Sequence, residues 1–339
     1  MFKESKTFIL LLFLLIFTIL LAYSSLLSMK IQCYELGQLH IPINSTANDV
    51  AVKLHNQGCV NSTLFKIAII FTFNQKNIRP GKYNLNGISN IHDLLRVITS
   101  SKVNRTKFTL IEGWTINNVA KKLSDKLRID KNIFIDLCES QKFINSIGLA
   151  NYSSLEGFLF PDTYWLLDSY SEEDIIRIFV NRFKDIYNSK IYPNVSNTNL
   201  STSDIITLAS IIQSEAMYKD EMPIISKVYH NRLDKNMKLE ADPTVIYFMS
   251  EQDKEKFKSN RKIFRKYKDV NNPYNTYFHK GLPHGPINNP GLTAMLSAIN
   301  PIDTNLVLLY FVADGKGRHI FSENLANHKK AINKVRYGF

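Results

Sequence analysis

Apolar residues dominate the beginning of the chain. Residues 7–29 include no charged side chain and are mostly Leu, Ile and Phe. At a rise of 1.5 Å per residue, a helix of about 23 residues crosses a hydrocarbon core of about 30 Å. This pattern predicts a transmembrane anchor over residues 7–29, preceded by a cytoplasmic N-terminus over residues 1–6.

The flanks of this segment bear on its orientation. Lys3 and Lys6 precede it, and basic residues favour the cytoplasmic side, although Lys30 on the far side weakens the asymmetry. A cleaved signal peptide is the alternative, because "AYS" (residues 22–24) fits a small-x-small cleavage site. The apolar run continues past that site, which favours an uncleaved anchor. Both interpretations export the rest of the chain.

An internal repeat follows the anchor. The segment "TANDVAVKL" (residues 46–54) aligns with "TINNVAKKL" (115–123), and an apolar pair follows each copy at the same distance, "LF" (64–65) and "IF" (133–134). Both copies have a Thr at a helix-capping position and apolar residues at helical spacing, which predicts a duplicated βααβ-like module. The apolar stretch 64–73 is too short to span a membrane and predicts a core strand or a buried helix.

A second apolar helix is predicted in the middle of the chain. Ser201, Thr202 and Ser203 offer N-caps for it, and Asp204 falls in its first turn. On a helical wheel Glu215 lies between apolar residues, within the apolar arc. The opposite side carries three hydroxyl residues and is predicted to be the polar face: Thr207, Ser210 and Ser214.

The position of Glu215 has a chemical consequence. A carboxylate is costly to bury, so the pKa of a buried glutamate rises and the group keeps its proton near neutral pH. Such a group is a candidate general acid. Two structural alternatives are open: Glu215 pairs with a buried Arg232, or the helix ends early and Glu215 is solvated.

Composition and charge add limited information. Of 339 residues 45% are hydrophobic, and Lys plus Arg outnumber Asp plus Glu by 42 to 30, giving a net charge of +12. This charge indicates an anionic neighbour such as a phospholipid surface, a wall polymer or a nucleic acid. The basic residues are scattered, and the densest run, residues 254–269, is interpreted as a solvated insertion. Nucleic-acid binding also conflicts with the exported topology.

The cysteines leave one question open. Cys33, Cys59 and Cys138 are odd in number, and no pair has metal-ligand spacing, so no metal site is predicted. In an oxidising compartment Cys33 and Cys59 could pair, and the alternative is three buried or free thiols.

The region after residue 238 contains polar and aromatic loops. Residues 272–301 are dense in Pro, Gly, Asn and Tyr, which is typical of a shaped loop. Tyr rings and Asn amides suit the ring faces and hydroxyls of sugars. Residues 309–328 are interpreted as a strand, a Gly-rich turn over 314–317, and a second strand.

The ordered motifs resemble a known family. In sequence they are "LEGFLFPDTY", "ASIIQSEA", "HNRL", "ADPTVIY", "YNTY", "GLPHGPINNPG", "YFVADGKGRHIF" and "NLANH". Together they resemble the YceG-like, MltG-type endolytic murein transglycosylases over residues 155–330. The resemblance implies an α+β chain in three parts: the anchor, LysM-like wall-binding modules over 30–150, and a mixed α+β catalytic domain over 151–339.

The same resemblance implies an activity and a location. The chain would be a single-pass protein of the inner membrane with its catalytic domain in the periplasm or outer wall space. It would cleave the β-1,4 bond between N-acetylmuramic acid and N-acetylglucosamine within nascent strands and leave 1,6-anhydro ends. No cofactor is implied. The partners implied are glycan strands and, among proteins, a peptidoglycan synthase whose identity the sequence does not reveal.

Site residues are carried over by position. Glu215 matches the second glutamate of the family's E-x-E pattern and is the expected catalytic acid, whereas the first position holds Gln213, a departure that leaves its role open. A second site carboxylate is expected at Asp242, with a turn acid before a proline as the alternative. The expected substrate-binding residues are Glu156, Asn231, Asp242, Asn275 and Tyr277.

Two rival functions stay open. A lysozyme-like hydrolase would use Glu215 with Asp242 or Glu240, because hydrolysis usually needs a second carboxylate. A non-catalytic wall-binding scaffold would use only the LysM-like modules. In a transglycosylase the sugar's own C6 hydroxyl replaces water, so one acid suffices.

Overall fold

The computed structural model describes residues 2–33, 37–99, 105–127, 129–257, 260 and 262–338. The chain divides into two compact units: unit 1 comprises Met1–Thr106 and Trp165–Ile175, and unit 2 comprises Lys107–Tyr164 and Ile176–Phe339. Helices and two-stranded sheets occur together, which confirms the predicted α+β class. The functional division predicted near residue 150 stays a prediction.

Unit 1 begins with the predicted apolar helix. Within it Ile9–Leu27 is long and apolar enough to cross a membrane. A strand, two helices and a second strand follow, and the two strands pair antiparallel. The elements are α1 (Phe2–Leu27), β1 (Gln38–Ile41), α2 (Ala47–Asn56), α3 (Ser62–Phe71), β2 (Gly81–Asn84) and α4 (Ile91–Thr99).

The internal repeat appears as two similar chain segments. In the second copy β3 (Arg105–Thr109) precedes α5 (Ile116–Lys126), α6 (Lys131–Glu139) and α7 (Gln141–Ser146), and β4 (Thr163–Leu167) pairs with β3. Thr46 and Thr115 form capping boxes at the starts of α2 and α5. The predicted strand and helix order is therefore present, with α7 as an additional helix in the second copy.

The structure of unit 1 shows how its cysteines pair and what the apolar stretch 64–73 forms. Cys33 and Cys59 form a disulfide with their Cα atoms 4.4 Å apart, whereas Cys138 is a buried free thiol in unit 2. The apolar stretch 64–73 forms most of α3, and its residues Phe65, Ala68 and Ile69 are buried against the rest of the unit.

Unit 2 is mostly helical and ends in a β-hairpin and a helix. The hairpin pairs β5 with β6 antiparallel around the predicted turn. Residues 258, 259 and 261 of the basic run lie outside the described residues. The elements are α8 (Glu172–Ile186, which begins in unit 1), α9 (Thr202–Glu215), α10 (Met222–Asp234), α11 (Asp242–Phe248), α12 (Glu251–Phe257), α13 (Lys262–Lys268), α14 (Leu292–Ile299), β5 (Tyr310–Ala313), β6 (His319–Ser322) and α15 (Leu325–Tyr337).

Helix α9 is the central element of unit 2. Ser201 caps it and Asp204 completes a capping box, as the sequence predicted. It packs against α14, α10 and α11, and every residue from Ile205 to Ile212 is buried. The predicted polar face is therefore wrong for Thr207 and Ser210.

The hydroxyl of Ser210 explains this difference. It donates to the Thr207 carbonyl and accepts from the backbone N–H of Ile287. The side-chain amide of Asn288 donates to the Ser210 carbonyl and to the Ser214 hydroxyl. A loop over residues 287–289 thus supplies partners that allow polar groups of α9 to be buried.

Glu156 and Asn289 connect three segments of unit 2. The Glu156 carboxyl accepts from the backbone N–H of Ile116, at the start of α5, and from the side-chain amide of Asn289. The Asn289 side chain also accepts from the N–H groups of Gly157 and Leu159. We call this arrangement the Glu156 clasp. Burial raises the pKa of Glu156 to about 8, because desolvation outweighs the hydrogen bond from Ile116.

The raised pKa of Glu156 makes the stability of the fold depend on pH. The folded state binds this proton more tightly than the unfolded chain, so the contribution is complete below about pH 4.5 and is lost as the pH rises to about 8. In Glu156→Gln the amide mimics the protonated acid. We therefore expect the unfolding free energy of wild type, relative to the variant, to fall by about 1.4 kcal/mol per pH unit in this window.

Urea unfolding at several pH values measures this difference. The exposed Glu323→Gln serves as the matched control and should leave the pH dependence unchanged. If the unfolding free energies of wild type and Glu156→Gln changed with pH in parallel, the buried carboxyl would be ionised across the whole range from about pH 4.5 to about pH 8, which would contradict the prediction.

Candidate active site

Glu215 is the last residue of α9 and is partly buried. The hydroxyl of Tyr229 donates to its Oε1 over 2.9 Å. Desolvation raises the pKa of Glu215 to about 7, and the negative charge of Asp242 acts in the same direction. The C-terminal end of a helix carries partial negative charge, which also disfavours the ionised form. The hydrogen bond from Tyr229 and the charge of Arg232 act in the opposite direction.

Helix α10 presents Tyr229 and Arg232 along one side. Both are buried, and their spacing follows that of Met222 and Ile225 at three or four residues. The guanidinium of Arg232 donates to the backbone carbonyls of Leu309, Lys238 and Leu239, and its ion pair is with Glu240. The alternative in which Arg232 neutralises Glu215 by direct pairing therefore does not hold. The carboxyl group of Glu215 therefore stays able to bind a proton, and its hydrogen-bond partner is the hydroxyl of Tyr229.

Asp242 and Tyr277 form a second pair close to Glu215. Asp242 is exposed at the first turn of α11, and the hydroxyl of Tyr277 donates to its Oδ1. The ammonium of Lys268 lies 3.9 Å from the centre of the Tyr277 ring, where a cation is attracted to the ring face. The charge of Asp242 affects Glu215, which places two predicted site residues in one electrostatic environment.

The amide residues predicted to bind sugar are engaged with the backbone. Asn275 is buried, and its amide donates to three carbonyls at the end of α13 and just after it, those of residues 267, 268 and 270. Asn231 donates to the carbonyl of Leu308. Glu156 is buried in its clasp. These geometries favour shaping of loops by all three residues over direct contact with a sugar.

The side chain of Gln213 hydrogen-bonds to the start of another helix and not to Glu215. Its side-chain oxygen accepts from the backbone N–H of Gly291, the N-cap residue of α14. The amide therefore joins α9 to the start of α14 rather than approaching the Glu215 carboxyl by hydrogen bonding. An acceptor oxygen is what this contact requires, and a glutamine supplies it without a second charge near Glu215.

The β5–β6 hairpin holds the segment that follows Glu215. His319 donates its backbone N–H to Glu221, and its Nδ1 lies 3.0 Å from the same buried carboxyl. Arg318 pairs with Asp220 and covers the ring of Tyr218 at 4.5 Å. These contacts fix the chain between α9 and α10 and thereby the position of the Glu215 backbone.

A cavity of about 740 Å³ lies in unit 2, and the residues that line it include sequence neighbours of Glu215 and Asp242 but neither acid. Its wall includes Ser214, which precedes Glu215, and Pro243, which follows Asp242. Neutral polar groups and apolar surfaces line most of it, together with the charged side chains of Glu251 and Lys254, and the neutral part suits the edges and faces of sugar rings. The remaining wall is formed mainly by Thr115, Asn117, Asn118, Ile246, Tyr247, Met249, Ser250, Ile287 and Asn288.

The sequence analysis did not select three residues that contact the predicted site residues or the loop beside them. Tyr229, Asn288 and Asn289 make the contacts described above, yet none was selected. Tyr229 was detectable in principle, because a tyrosine on the buried side of a helix needs a partner for its hydroxyl. Consecutive asparagines in a Pro- and Gly-rich loop indicate side chains that hydrogen-bond to backbone groups.

Comparisons with known proteins agree with this architecture. The model of the YceG-like family matches residues 39–334. An endolytic murein transglycosylase of Bacillus subtilis (strain 168) is 29% identical over 314 residues, covering 87% of this chain and 84% of the relative. One from Streptococcus pneumoniae (strain D39) is 25% identical over 328 residues, but the match covers 57% of its length and 86% of this chain.

A solved structure supports the same assignment. The crystal structure of a yceG-like protein of Listeria monocytogenes superposes with a TM-score of 0.57 at 27% identity, covering 86% of this chain and 97% of the other. The match to the family model extends over most of the chain and includes Glu215 and the loops around it. The chain therefore belongs to the YceG-like family.

Proposed function

We propose that this chain is an endolytic murein transglycosylase. It cleaves the β-1,4 bond between N-acetylmuramic acid and N-acetylglucosamine within peptidoglycan strands and leaves 1,6-anhydro ends. The names of the relatives support the activity. The observation that carries the proposal is Glu215, whose pKa of about 7 provides both a proton donor and a base near neutral pH.

Glu215 acts in two stages. The protonated carboxyl gives its proton to the glycosidic oxygen, the bond from that oxygen to C1 breaks, and positive charge develops on the sugar ring. The resulting carboxylate then accepts the proton of the C6 hydroxyl while the C6 oxygen bonds to C1. The proton returns to Glu215 and no water is consumed, so a single carboxyl group completes the cycle.

The neighbours of Glu215 serve both stages. The negative charge of Asp242 favours the protonated acid before cleavage and a cationic ring during it. The Tyr229 hydroxyl supports the carboxylate that accepts the second proton. Among the other residues expected to bind substrate, Tyr277 supports this site through Asp242, while Asn231, Asn275 and Glu156 act by shaping loops. The cavity beside Ser214 provides room for sugars on one side of the bond.

The remaining parts of the chain have supporting roles in this proposal. Helix α1 anchors the protein as a single pass, with the catalytic unit outside the cytoplasmic membrane; its length and composition support this. Residues 30–150 act as LysM-like modules that bind wall glycan, and their repeated strand–helix–helix order supports that role. Exported glycan strands at the membrane surface are then within reach of the active site.

Substitution of Glu215 tests the proposal. Glu215→Gln keeps the shape of the side chain but cannot transfer the proton, so the rate should fall by about 10²- to 10⁴-fold. Mass spectrometry of digested peptidoglycan measures the products, and wild type should release fragments with 1,6-anhydro ends. The exposed Glu323→Gln is the control and should match wild type.

Each of the other outcomes overturns a different part of the proposal. Reducing ends in place of anhydro ends would identify a hydrolase. Equal glycan release by Glu215→Gln and wild type would remove Glu215 from catalysis.

The pH dependence of kcat/KM provides a second test. Activity needs protonated Glu215, so kcat/KM should fall as the pH rises through about 7. Asp242→Asn removes a charge that raises the pKa of Glu215, so the alkaline limb should move to lower pH. Tyr229→Phe removes a hydrogen bond that lowers this pKa, so the limb should move to higher pH. Shifts in the same direction for both variants would contradict the assignment of Glu215 as the titrating acid.

A further inference from the structure

An apolar surface is exposed at the C-terminal end of α3. Ile67, Ile70 and Phe71 share the exposed side of this helix, with exposed fractions of 38%, 54% and 55%, and Phe73 just beyond it is 85% exposed. Water contact with this much adjacent aliphatic and aromatic surface is unfavourable, so a contiguous patch of this kind indicates an interaction site. We call these four residues the α3 tip.

The α3 tip lies beside the apolar helix α1 within unit 1. The rings of Phe71 and Tyr23 are 6.4 Å apart. Tyr23 precedes Leu27, the end of the apolar span, by about 6 Å at 1.5 Å per residue. Leu26 and Leu27 pack on the core of unit 1, which fixes this end of α1 relative to α3. If α1 crosses a membrane, Phe71 is at the level of the membrane surface or just below it.

The charges around the α3 tip fit a phospholipid surface. Residues 61–79 include no Asp or Glu, and the charged residues in this segment are Lys66, Lys76 and Arg79. Basic residues next to an apolar surface are typical of segments that lie in the interface of anionic membranes. Tyrosines such as Tyr23 favour the same depth.

We infer that the α3 tip inserts into the outer surface of the membrane that α1 crosses. The protein then has two attachments to the bilayer, the transmembrane helix and an adjacent interfacial wedge of four apolar side chains. The second attachment restricts rotation of unit 1 about α1 and holds it against the lipid headgroups. This inference rests on the proposed anchoring by α1 and goes beyond it, because an anchor alone requires no apolar surface on α3.

Tryptophan fluorescence of the full chain in vesicles tests the inference. The chain is reconstituted in vesicles of phosphatidylcholine and phosphatidylglycerol, with and without bromine on the acyl chains, which quenches tryptophans that reach the hydrocarbon. Phe73→Trp and Ile70→Trp each place a reporter in the α3 tip. The contribution of the two native tryptophans is subtracted with wild type. Phe278→Trp, at an exposed residue of unit 2, is the matched control.

The expected result is a blue-shifted emission from both α3-tip reporters and loss of most of their intensity in brominated vesicles. The Phe278→Trp reporter should keep its intensity. Flotation of the vesicles is measured on the same samples. If the chain floats but both α3-tip reporters emit as in water, the inference is wrong while the anchor stands. If the chain does not float, the anchoring by α1 is itself wrong, and the inference falls with it.

Discussion

The burial of one carboxyl group is the constraint on which the rest of unit 2 depends. Glu215 ends a helix whose residues Ile205–Ile212 are all buried, and it accepts a hydrogen bond from Tyr229. Water would lower the pKa of this group to its ordinary range, and an arginine partner would lower it further. The fold limits contact with water by burying Glu215 in part, and it directs Arg232 to backbone carbonyls and Glu240 instead. A carboxyl that exchanges its proton near neutral pH is the result.

The framework around Glu215 holds it from several sides. Tyr229 approaches from α10, the hairpin residues Arg318 and His319 fix the segment after α9, and the loop over 287–289 supplies partners to buried polar groups of α9. The Glu156 clasp fixes that loop in turn. The buried Glu156 carboxyl, whose pKa is also raised, therefore positions this loop, whereas the proton transfer that we propose is assigned to Glu215.

The sequence was informative where a local rule applied. Helical periodicity placed Glu215 in the apolar arc, capping chemistry placed the starts of α2, α5 and α9, and the repeat indicated the strand–helix–helix order.

The sequence was not informative where contacts between distant parts of the chain determine which side chains are buried and what they contact. Ser210 can be buried because a loop far along the chain hydrogen-bonds to it, and its hydroxyl in turn donates to the Thr207 carbonyl. Asn275 and Asn231 have the amides of sugar-binding residues, yet their partners are carbonyls that only the folded loops bring near. Tyr229 reaches Glu215 because α10 packs on α9, which no local pattern specifies.

The most direct test of this account is the pKa of Glu215 itself. Carbon-13 NMR of protein labelled at the glutamate carboxyl, with the signal assigned by its loss in Glu215→Gln, follows the ionisation of this one group. We expect a midpoint near pH 7, because desolvation and the charge of Asp242 outweigh the hydrogen bond from Tyr229 and the charge of Arg232. A midpoint near the ordinary glutamate value of about 4.3 would contradict it, since the group would then hold no proton to donate at neutral pH.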